Sequence, residues 1–389
     1  MYPHQAERLT AALESAGVDA LVAASSANVA YVSGFRSLFR AVYPTSESYA
    51  IMTRHGTALI VPTIDAPAVV DSDADPTHVV CHGRFHLALD EAGAGAQRLR
   101  ELTGGPAASA ADAVATALDA LGVPGGRLGL DDAGLPAARR ARLAERHYAD
   151  TLAPASDALA AARWVKGPYE IDCLRQSLWV AEEAINVVLD LLRPGITERE
   201  AATAFEHEVT KRDAAPTATI IVFGAGSAVP APWPSDRALR AGDLVRFDLG
   251  CAVKGYQSDV ARMAVMGEPS SRQEAQFDAI SAGVQGALDA IRPGVSGATV
   301  FETAVAATRK AGLPGFDRHH VGHGIGLETS ESPMLAPGGG ALEAGMILRI
   351  EAPYYVPGET GLNVKETVLV TRVGAQPLNR SNRGLVVLD

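Results

Sequence analysis

The chain has 389 residues, of which 47% are hydrophobic and 20% are charged. These values are ordinary for globular proteins, and the length suits two domains. A formal net charge of −11 argues against nucleic acid or an anionic membrane as the partner. The cysteines Cys81, Cys173 and Cys251 are isolated, so we expect free thiols in a reducing cytoplasm. We see neither a signal-peptide core nor an apolar run near the roughly 20 residues that span a bilayer, so we expect a cytoplasmic protein.

The first part of the chain alternates short apolar runs with helical stretches. The apolar runs predict strands at 18–23, 48–53, 58–62 and 127–131. The helical stretches are at 7–16, 87–102, 109–121 and from Pro136. The segment 28–35, NVAYVSGF, alternates in polarity and leads into a turn. This alternation predicts an α/β domain over residues 1–157, followed by a second domain over residues 158–389.

The second part of the chain repeats itself with a period of about one hundred residues. LRAGDLVRFDLG aligns with LEAGMILRIEAP, so that Asp248 corresponds to Glu351. Upstream, an Arg-Pro-Gly in each copy ends one helix, and we place the N-caps of the next helices at Thr197 and Ser296. The pattern is an internal duplication rather than a solenoid. It predicts two pseudo-symmetric halves around a curved antiparallel sheet, with a site at their junction.

Each copy delivers a carboxylate at the end of an alternating apolar run. We expect a second strand after each run, at 255–259 and 361–365. Asp248 and Asp259 would then lie on one face of neighbouring strands, although taken alone they could equally be two surface aspartates near a hairpin.

A histidine and a third carboxylate complete the candidate site. His323 lies among glycines in HHVGHGIGLE, between the two copies. Glu351 ends a hydrophobic strand, where burying an unpaired carboxylate would be costly. Carboxylates with an imidazole are a usual donor set for a divalent metal ion.

The motifs DLGxxxxGYxSD, HxxxHGIGLE, RIEAP and GLxVxxTVLVT resemble those of the creatinase/prolidase/methionine aminopeptidase superfamily, the pita-bread fold. RLTAALESAGVDALV and NVAYVSGF resemble the N-terminal domain of creatinases and Xaa-Pro peptidases. The resemblance implies an α+β C-terminal pita-bread domain with an internal pseudo-twofold repeat. It also implies a smaller α/β creatinase-type domain before it, and a homodimer.

In the metal-dependent members of this superfamily, two divalent ions, commonly manganese, cobalt or zinc, are held by Asp, Asp, His, Glu and Glu. The resemblance places the first four ligands on Asp248, Asp259, His323 and Glu351. The fifth falls on Lys365. Because a lysine replaces a carboxylate, we expect one ion or none rather than two, and we expect Lys365 to take part in catalysis as an electrophilic stabiliser or a metal surrogate.

Other positions also depart from the family pattern. Asn363 stands where the family has a substrate-contacting arginine. Ala231 and Ser330 stand where it has histidines that assist proton transfer. His319, four residues before His323, is the outer histidine that is retained, and we take it as a catalytic candidate.

Charge counting limits what the site can accept. The three carboxylates and Lys365 leave two negative charges, which one divalent ion or a cationic ligand would balance. A register slip that brings Glu366 inward is disfavoured, because it would turn every neighbouring side chain to the other face, but a local bulge could do it.

Two functions stay open. The first is hydrolysis of an amide, peptide or amidine C–N bond in a small molecule or short peptide, similar to Xaa-Pro dipeptidases or creatinases but with an atypical site. The second is a catalytically silent binding protein with the same fold.

Overall fold

The structure, a computed structural model, describes residues 2–89, 94–147 and 151–389. Two compact units divide the chain between Arg163 and Trp164. The domain boundary predicted at residues 157 and 158 lies inside the helix Ser156–Trp164 and remains a prediction. Each unit has its own sheet structure and its own hydrophobic core.

The N-terminal unit is built on one six-stranded mixed sheet. Its strands are β1 (Ala20–Ala23), β2 (Tyr49–Thr53), β3 (Gly56–Pro62), β4 (His78–His82), β5 (Leu128–Leu130) and β6 (Leu152–Pro154). Its helices are α1 (Pro3–Ala16), α2 (Ser26–Ser33), α3 (Leu38–Val42), α4 (Ala66–Val70), α5 (Ala94–Thr103), α6 (Ala110–Ala120), α7 (Ala137–His147) and α8 (Ser156–Trp164). The strand order is β4-β3-β2-β1-β5-β6, in which β2 is antiparallel to both neighbours and the other pairs are parallel.

One prediction for this unit is wrong. The segment 28–35 lies mostly in α2, which begins after the N-cap Ser25 and ends at Gly34 with a φ of 76°. Six of the eight residues of α2 are buried, among them Val29, Tyr31 and Val32, so the helix is enclosed on most sides and lacks the polar face that marks a half-exposed helix in a sequence. Part of the predicted helix 87–102, at 90–93, lies outside the described residues, and α5 begins at Ala94.

The C-terminal unit contains the duplication. Its first half consists of α9 (Pro168–Leu191), α10 (Glu198–Lys211), β7 (Ala215–Phe223), β8 (Leu244–Val253), β9 (Tyr256–Gln257) and β10 (Val260–Met266). The remaining elements are α11 (Ser271–Ala290), α12 (Gly297–Lys310), β11 (Gly322–Gly324), β12 (Glu331–Met334), β13 (Ile347–Glu351), β14 (Tyr354–Val356), β15 (Thr360–Leu362), β16 (Lys365–Thr371), β17 (Gly374–Pro377) and β18 (Val386–Leu388). Hydrogen bonding divides the expected single sheet into two, ordered β18-β10-β8-β7 with β9 on β8, and β12-β11-β13-β16-β17.

Equivalent turn contacts in the two halves confirm the duplication. In the first half the Gly195 N–H donates to the Leu239 carbonyl at 2.9 Å. In the second half the Gly294 N–H donates to the Leu342 carbonyl at 2.8 Å. The same motif therefore leads into β8 in one half and into β13 in the other.

The predicted helix starts are confirmed, and short strands, β9 and β15, overlap the ranges 255–259 and 361–365 predicted after each carboxylate run, but they end before Asp259 and Lys365. Thr197 and Ser296 cap α10 and α12 by accepting the N–H three residues later. The long partner strands are β10 and β16, which begin at Val260 and Lys365. Asp259 thus lies just before its strand and Lys365 opens one, so both lie at the end of the sheet where the site forms.

Each half buries its own apolar core between its helices and its sheet. Phe205 of α10 and Phe247 of β8 are fully buried in the first core. Ile280 of α11 and Ile350 of β13 are fully buried in the second. Burial of this kind fixes the register of β8 and β13, because a one-residue slip would expose the apolar face.

The three cysteines are buried free thiols, as predicted. Burial raises the pKa of each thiol, to about 11 for Cys81. None of the helices within the described residues is long and apolar enough to cross a membrane.

Candidate active site

Strand β8 presents Arg246 and Asp248 on one face, because side chains two residues apart in a strand point the same way. Phe247 and Leu249 on the opposite face belong to the first core. Arg246 is fully buried and Asp248 is 9% exposed, while Asp259 before β10 is 8% exposed. Burial therefore excludes the interpretation of the two aspartates as surface residues.

Strand β13 repeats this arrangement in the second half. Arg349 and Glu351 share one face, and Leu348 and Ile350 on the other face belong to the second core. In the antiparallel ladder between β13 and β16, Glu351 lies opposite Lys365. The sheet therefore brings Lys365 beside the predicted ligand set.

Lys365 lies between the two aspartates of the first half. Its Nζ is 2.5 Å from Asp248 Oδ1 and 2.7 Å from Asp259 Oδ1. The Asn363 amide also donates to Asp248, at 3.2 Å from Oδ2. The lysine that replaces a carboxylate in the family pattern thus links two of the predicted metal ligands.

A second cation, Arg349, contacts the remaining predicted ligands. Its Nε is 2.9 Å from Asp259 Oδ2, and its Nη1 is 2.6 Å from Glu351 Oε2. Its Nη2 lies against Nε2 of His323. Arg349 was not among the site residues predicted from the sequence, although RFD and RIE place an arginine two residues before each carboxylate, and hence on its face.

The equivalent arginine of the first half, Arg246, is also part of the cluster. Its Nη1 is 3.4 Å from Asp248 Oδ2, and its Nη2 donates to the Val229 carbonyl at 2.6 Å. The Tyr355 ring centroid lies 5.4 Å from the guanidinium carbon, within cation–π range. This arginine was likewise missed as a site residue.

The buried charges stabilise one another's ionised forms. Burial alone raises the pKa of Asp259, but the charges of Lys365 and Arg349 outweigh it and hold that pKa below its ordinary value. Burial also opposes ionisation of Glu351, yet Arg349 and Lys365 lower its pKa to about 2. Burial lowers the pKa of Lys365, but Asp248 and Asp259 more than offset this and raise it. Asp259, Glu351 and Lys365 are therefore ionised at neutral pH.

His323 is neutral in this arrangement. Burial, with the charge of Arg349, lowers its pKa to about 4. Its Nδ1 is 2.8 Å from the Gly324 carbonyl, so Nδ1 carries the proton and Nε2 accepts from Arg349. The lone pair that a metal ligand would offer is thus directed at a guanidinium.

The two histidines before His323 differ in position. His319 is exposed, and its ring stacks edge-to-face on that of His320 with centroids 4.4 Å apart. His320 is partly buried, and its Nδ1 lies 3.7 Å from Glu351 Oε1. Burial lowers the pKa of His320, so its ring is neutral at pH 7. His320 therefore adjoins the cluster, whereas the catalytic role given to His319 remains a prediction.

Glu366 does not enter the cluster. The ladder pairs Glu366 with Ile350 without a register shift, so its side chain lies on the face opposite to that of Lys365. Its Oε2 is 3.9 Å from Arg262 and 3.4 Å from Arg383. Neither a slip nor a bulge supplies the missing carboxylate.

The charge count made from the sequence is corrected by the two arginines. The three carboxylates face three buried cations, Lys365, Arg349 and Arg246, and the partly buried Arg318 lies 3.7 Å from Glu351, so the two negative charges left by the sequence count are fully neutralised. Ala231 and Ser330 are exposed and add no charge to it.

The donor set does not fit the two-ion centre implied by the family resemblance. The oxygens of Asp248 and Asp259 face Lys365, and those of Asp259 and Glu351 face Arg349. Within the described residues, no three His, Cys, Asp or Glu side chains are grouped so that they could hold a metal ion. Two protein cations therefore lie among the groups that would have to coordinate metal.

Comparison with known proteins places this geometry in a family. Residues 172–372 match metallopeptidase family M24, and residues 5–165 match the creatinase/prolidase N-terminal domain. The Xaa-Pro dipeptidase of Pyrococcus horikoshii is 24% identical over 377 residues, which cover 96% of each chain. Among solved structures, an Xaa-Pro dipeptidase from Bacillus anthracis covers 99% of both chains with a TM-score of 0.82 at 24% identity. Dipeptidase PepE from Mycobacterium ulcerans covers 100% of this chain and 99% of its own, with a TM-score of 0.79 at 27% identity.

These matches confirm the fold expected from the sequence motifs, namely a creatinase-type N-terminal domain followed by a pita-bread domain. They also agree with the expectation of a hydrolase, since the named relatives are dipeptidases. The chain belongs to metallopeptidase family M24.

Proposed function

We propose that this protein hydrolyses the C–N bond of a short peptide, and that Xaa-Pro dipeptides are the first substrates to test. One observation carries the choice of a peptide over an amidine. Lys365, Arg349 and Arg246 already neutralise the three carboxylates, and Arg318 adds a further positive charge 3.7 Å from Glu351. The cluster therefore has no excess negative charge that would attract a cationic guanidino substrate. The relatives named as Xaa-Pro dipeptidases support the peptide class.

The cluster contains groups suited to this chemistry. Lys365 and Arg349 are fixed positive charges, and such charges stabilise the negative charge that develops on a carbonyl oxygen during hydrolysis. His320 is neutral and adjoins Glu351, so it is the candidate for proton transfer to the leaving nitrogen. Asp248, Asp259 and Glu351 hold the cations in place in this proposal.

The proposal also includes the expectation of one divalent ion or none at Asp248, Asp259, His323 and Glu351. A cytoplasmic homodimer belongs to the proposal as well. Sedimentation velocity and cell fractionation test those two points, and a monomer or a membrane fraction would contradict them.

The activity test compares wild type with two histidine variants on one substrate panel. The panel holds Xaa-Pro dipeptides, proline-free dipeptides and guanidino acids, each assayed with chelator and with Mn²⁺. We expect wild type to cleave dipeptides and His320→Gln to lower kcat by roughly 10²–10⁴-fold, the usual contribution of an acid–base group. His319→Gln is compared with it, because His319 is exposed next to His320 and was the histidine predicted to be catalytic from the sequence. Cleavage of guanidino acids alone, or equal losses in both variants, would overturn these assignments.

A specific observation favours a second candidate function. Each of the three cluster carboxylates already has a protein cation as partner, and this also suits a silent binding protein. In that case wild type turns over no member of the panel, but a dipeptide raises its Tm by binding to the native state.

A further inference from the structure

Two cations of the cluster, Lys365 and Arg349, belong to the second half of the duplication and contact carboxylates of the first half. Lys365 on β16 contacts Asp248 and Asp259, and Arg349 on β13 contacts Asp259. Glu351 and Asp248 also have partners within their own halves, Arg349 at 2.6 Å and Arg246 at 3.4 Å respectively. The junction between the halves is therefore bridged by side-chain cations.

Arg349 is held rigidly in this position. Its strand pairs with β11 on one side and β16 on the other. Gly322 of β11 approaches so closely that a Cβ atom there would lie 2.1 Å from the Arg349 carbonyl oxygen. The guanidinium contacts Asp259, Glu351 and His323 at once, so moving it would remove the partner of His323 Nε2 and the nearest cation of Glu351.

We propose that Arg349 and Lys365 together take the place of both divalent ions of the family, so that this chain assembles its cluster without metal. In this proposal Arg349 is the residue that excludes the last ion. The inference rests on contacts and charge, and it holds whether or not the protein is a peptidase.

The charge balance explains why Arg349 decides the outcome. With Lys365 alone, the three carboxylates would keep two negative charges, which one divalent ion would neutralise. Arg349 and Arg246 remove that excess. An added divalent ion would then leave at least two uncompensated positive charges in a buried site, since Arg318 also lies near Glu351, and this is strongly unfavourable. It would also have to displace Arg349 from the lone pair of His323.

Metal binding by a set of variants tests the proposal. Arg349→Met keeps most of the side-chain volume and frees Asp259, Glu351 and His323, and Lys365→Glu restores the fourth carboxylate. After dialysis against MnCl₂, elemental analysis should find no stoichiometric manganese in wild type. The double variant should bind manganese at least tenfold more tightly than either single variant. Wild-type Tm should be unchanged by Mn²⁺ or by chelator, and the double variant's Tm should rise with Mn²⁺.

Matched controls separate metal exclusion from general destabilisation. Arg262→Met removes a buried arginine of the same unit that pairs with Glu182 and not with the cluster carboxylates, and it should gain no manganese. Arg349→Lys keeps a cation at the site and should also gain none. If the double variant does not fold, the manganese affinity of Arg349→Met is compared with that of Arg349→Lys instead.

Two outcomes overturn the proposal. One is a wild-type protein that holds about one manganese per chain and loses Tm when the metal is chelated. The other is a folded Arg349→Met variant that binds manganese no better than Arg349→Lys. Neither readout uses catalysis, so failure here is distinct from failure of the proposed activity.

Discussion

Glu351 and Lys365 lie opposite each other in the β13–β16 ladder, yet each directs its charge to a different partner. Glu351 pairs with Arg349 of its own strand at 2.6 Å. Lys365 instead extends to Asp248 and Asp259 in the other half of the duplication. Glu351 and Lys365 could have formed an ion pair with each other across the ladder. Instead, both belong to a charge network that spans the junction between the two halves.

The network predicts a limited cost for losing Asp259. In Asp259→Asn, Lys365 keeps Asp248 and Arg349 keeps Glu351, so each cation retains one carboxylate. We expect a destabilisation smaller than the about 3–5 kcal/mol typical of a buried charge left without a partner. Urea unfolding in chelator measures it. Combining Asp259→Asn with Lys365→Met should give a coupling energy of about 0.5–3 kcal/mol. A full-sized loss in the single variant, or strict additivity, would contradict the shared network.

The raised pKa of Glu366 leads us to expect that the stability of the protein changes with pH near neutrality. Burial raises its pKa from 4.5 to about 7, against the opposing charges of Arg262 and Arg383. Between these values the native state keeps a proton that the unfolded state has released, so stability falls as pH rises through pH 4.5–7. Relative to wild type, Glu366→Gln should therefore gain about 3 kcal/mol between pH 4 and pH 8. Unfolding at both pH values tests this, and the exposed Glu268→Gln should show no such gain.

For His323 we expect the opposite dependence of stability on pH, in the acid range. Its native pKa of about 4 lies below the ordinary value of 6.5, chiefly because the ring is buried. The unfolded chain binds a proton between these values that the native state does not, so stability falls as pH decreases from 6.5 towards 4. The free energy of unfolding of His323→Gln should depend less steeply on pH in this window. An unchanged slope in His323→Gln would refute the assignment.

The close approach of Gly322 to β13 lets us predict how much the packing of β11 against that strand contributes to stability. Its φ is 148°, and an added Cβ would lie 2.1 Å from the Arg349 carbonyl oxygen. Gly322→Ala should therefore destabilise the protein by about 1–3 kcal/mol, the usual cost of overpacking. Gly340→Ala is the control, since no atom lies within 4 Å of its added Cβ. Thermal unfolding compares the two, and equal Tm values would mean that the contact relaxes freely.

The sequence predicted the duplicated framework and Lys365 in the site, because both follow from patterns of spacing and burial. It did not predict Arg349, since charged residues inside a strand motif do not reveal which partner they meet across the sheet. The arginine two positions before Glu351 was nevertheless visible on its face. His319 and His320 show a further limit, because adjacent residues point in different directions that only the backbone path decides.

The unequal sharing of charge between the halves has a consequence for assembly. The first half brings two buried carboxylates and one arginine, and the second brings one carboxylate, one arginine and one lysine. Partners in the two contacts made by Lys365 are 117 and 106 residues apart in the chain. Each half by itself thus carries one surplus buried charge, of opposite sign to the other's. The two halves therefore attract each other electrostatically. If the chain is cut between β10 and α11, the two fragments should reassociate more slowly at higher salt concentration, because salt screens this attraction.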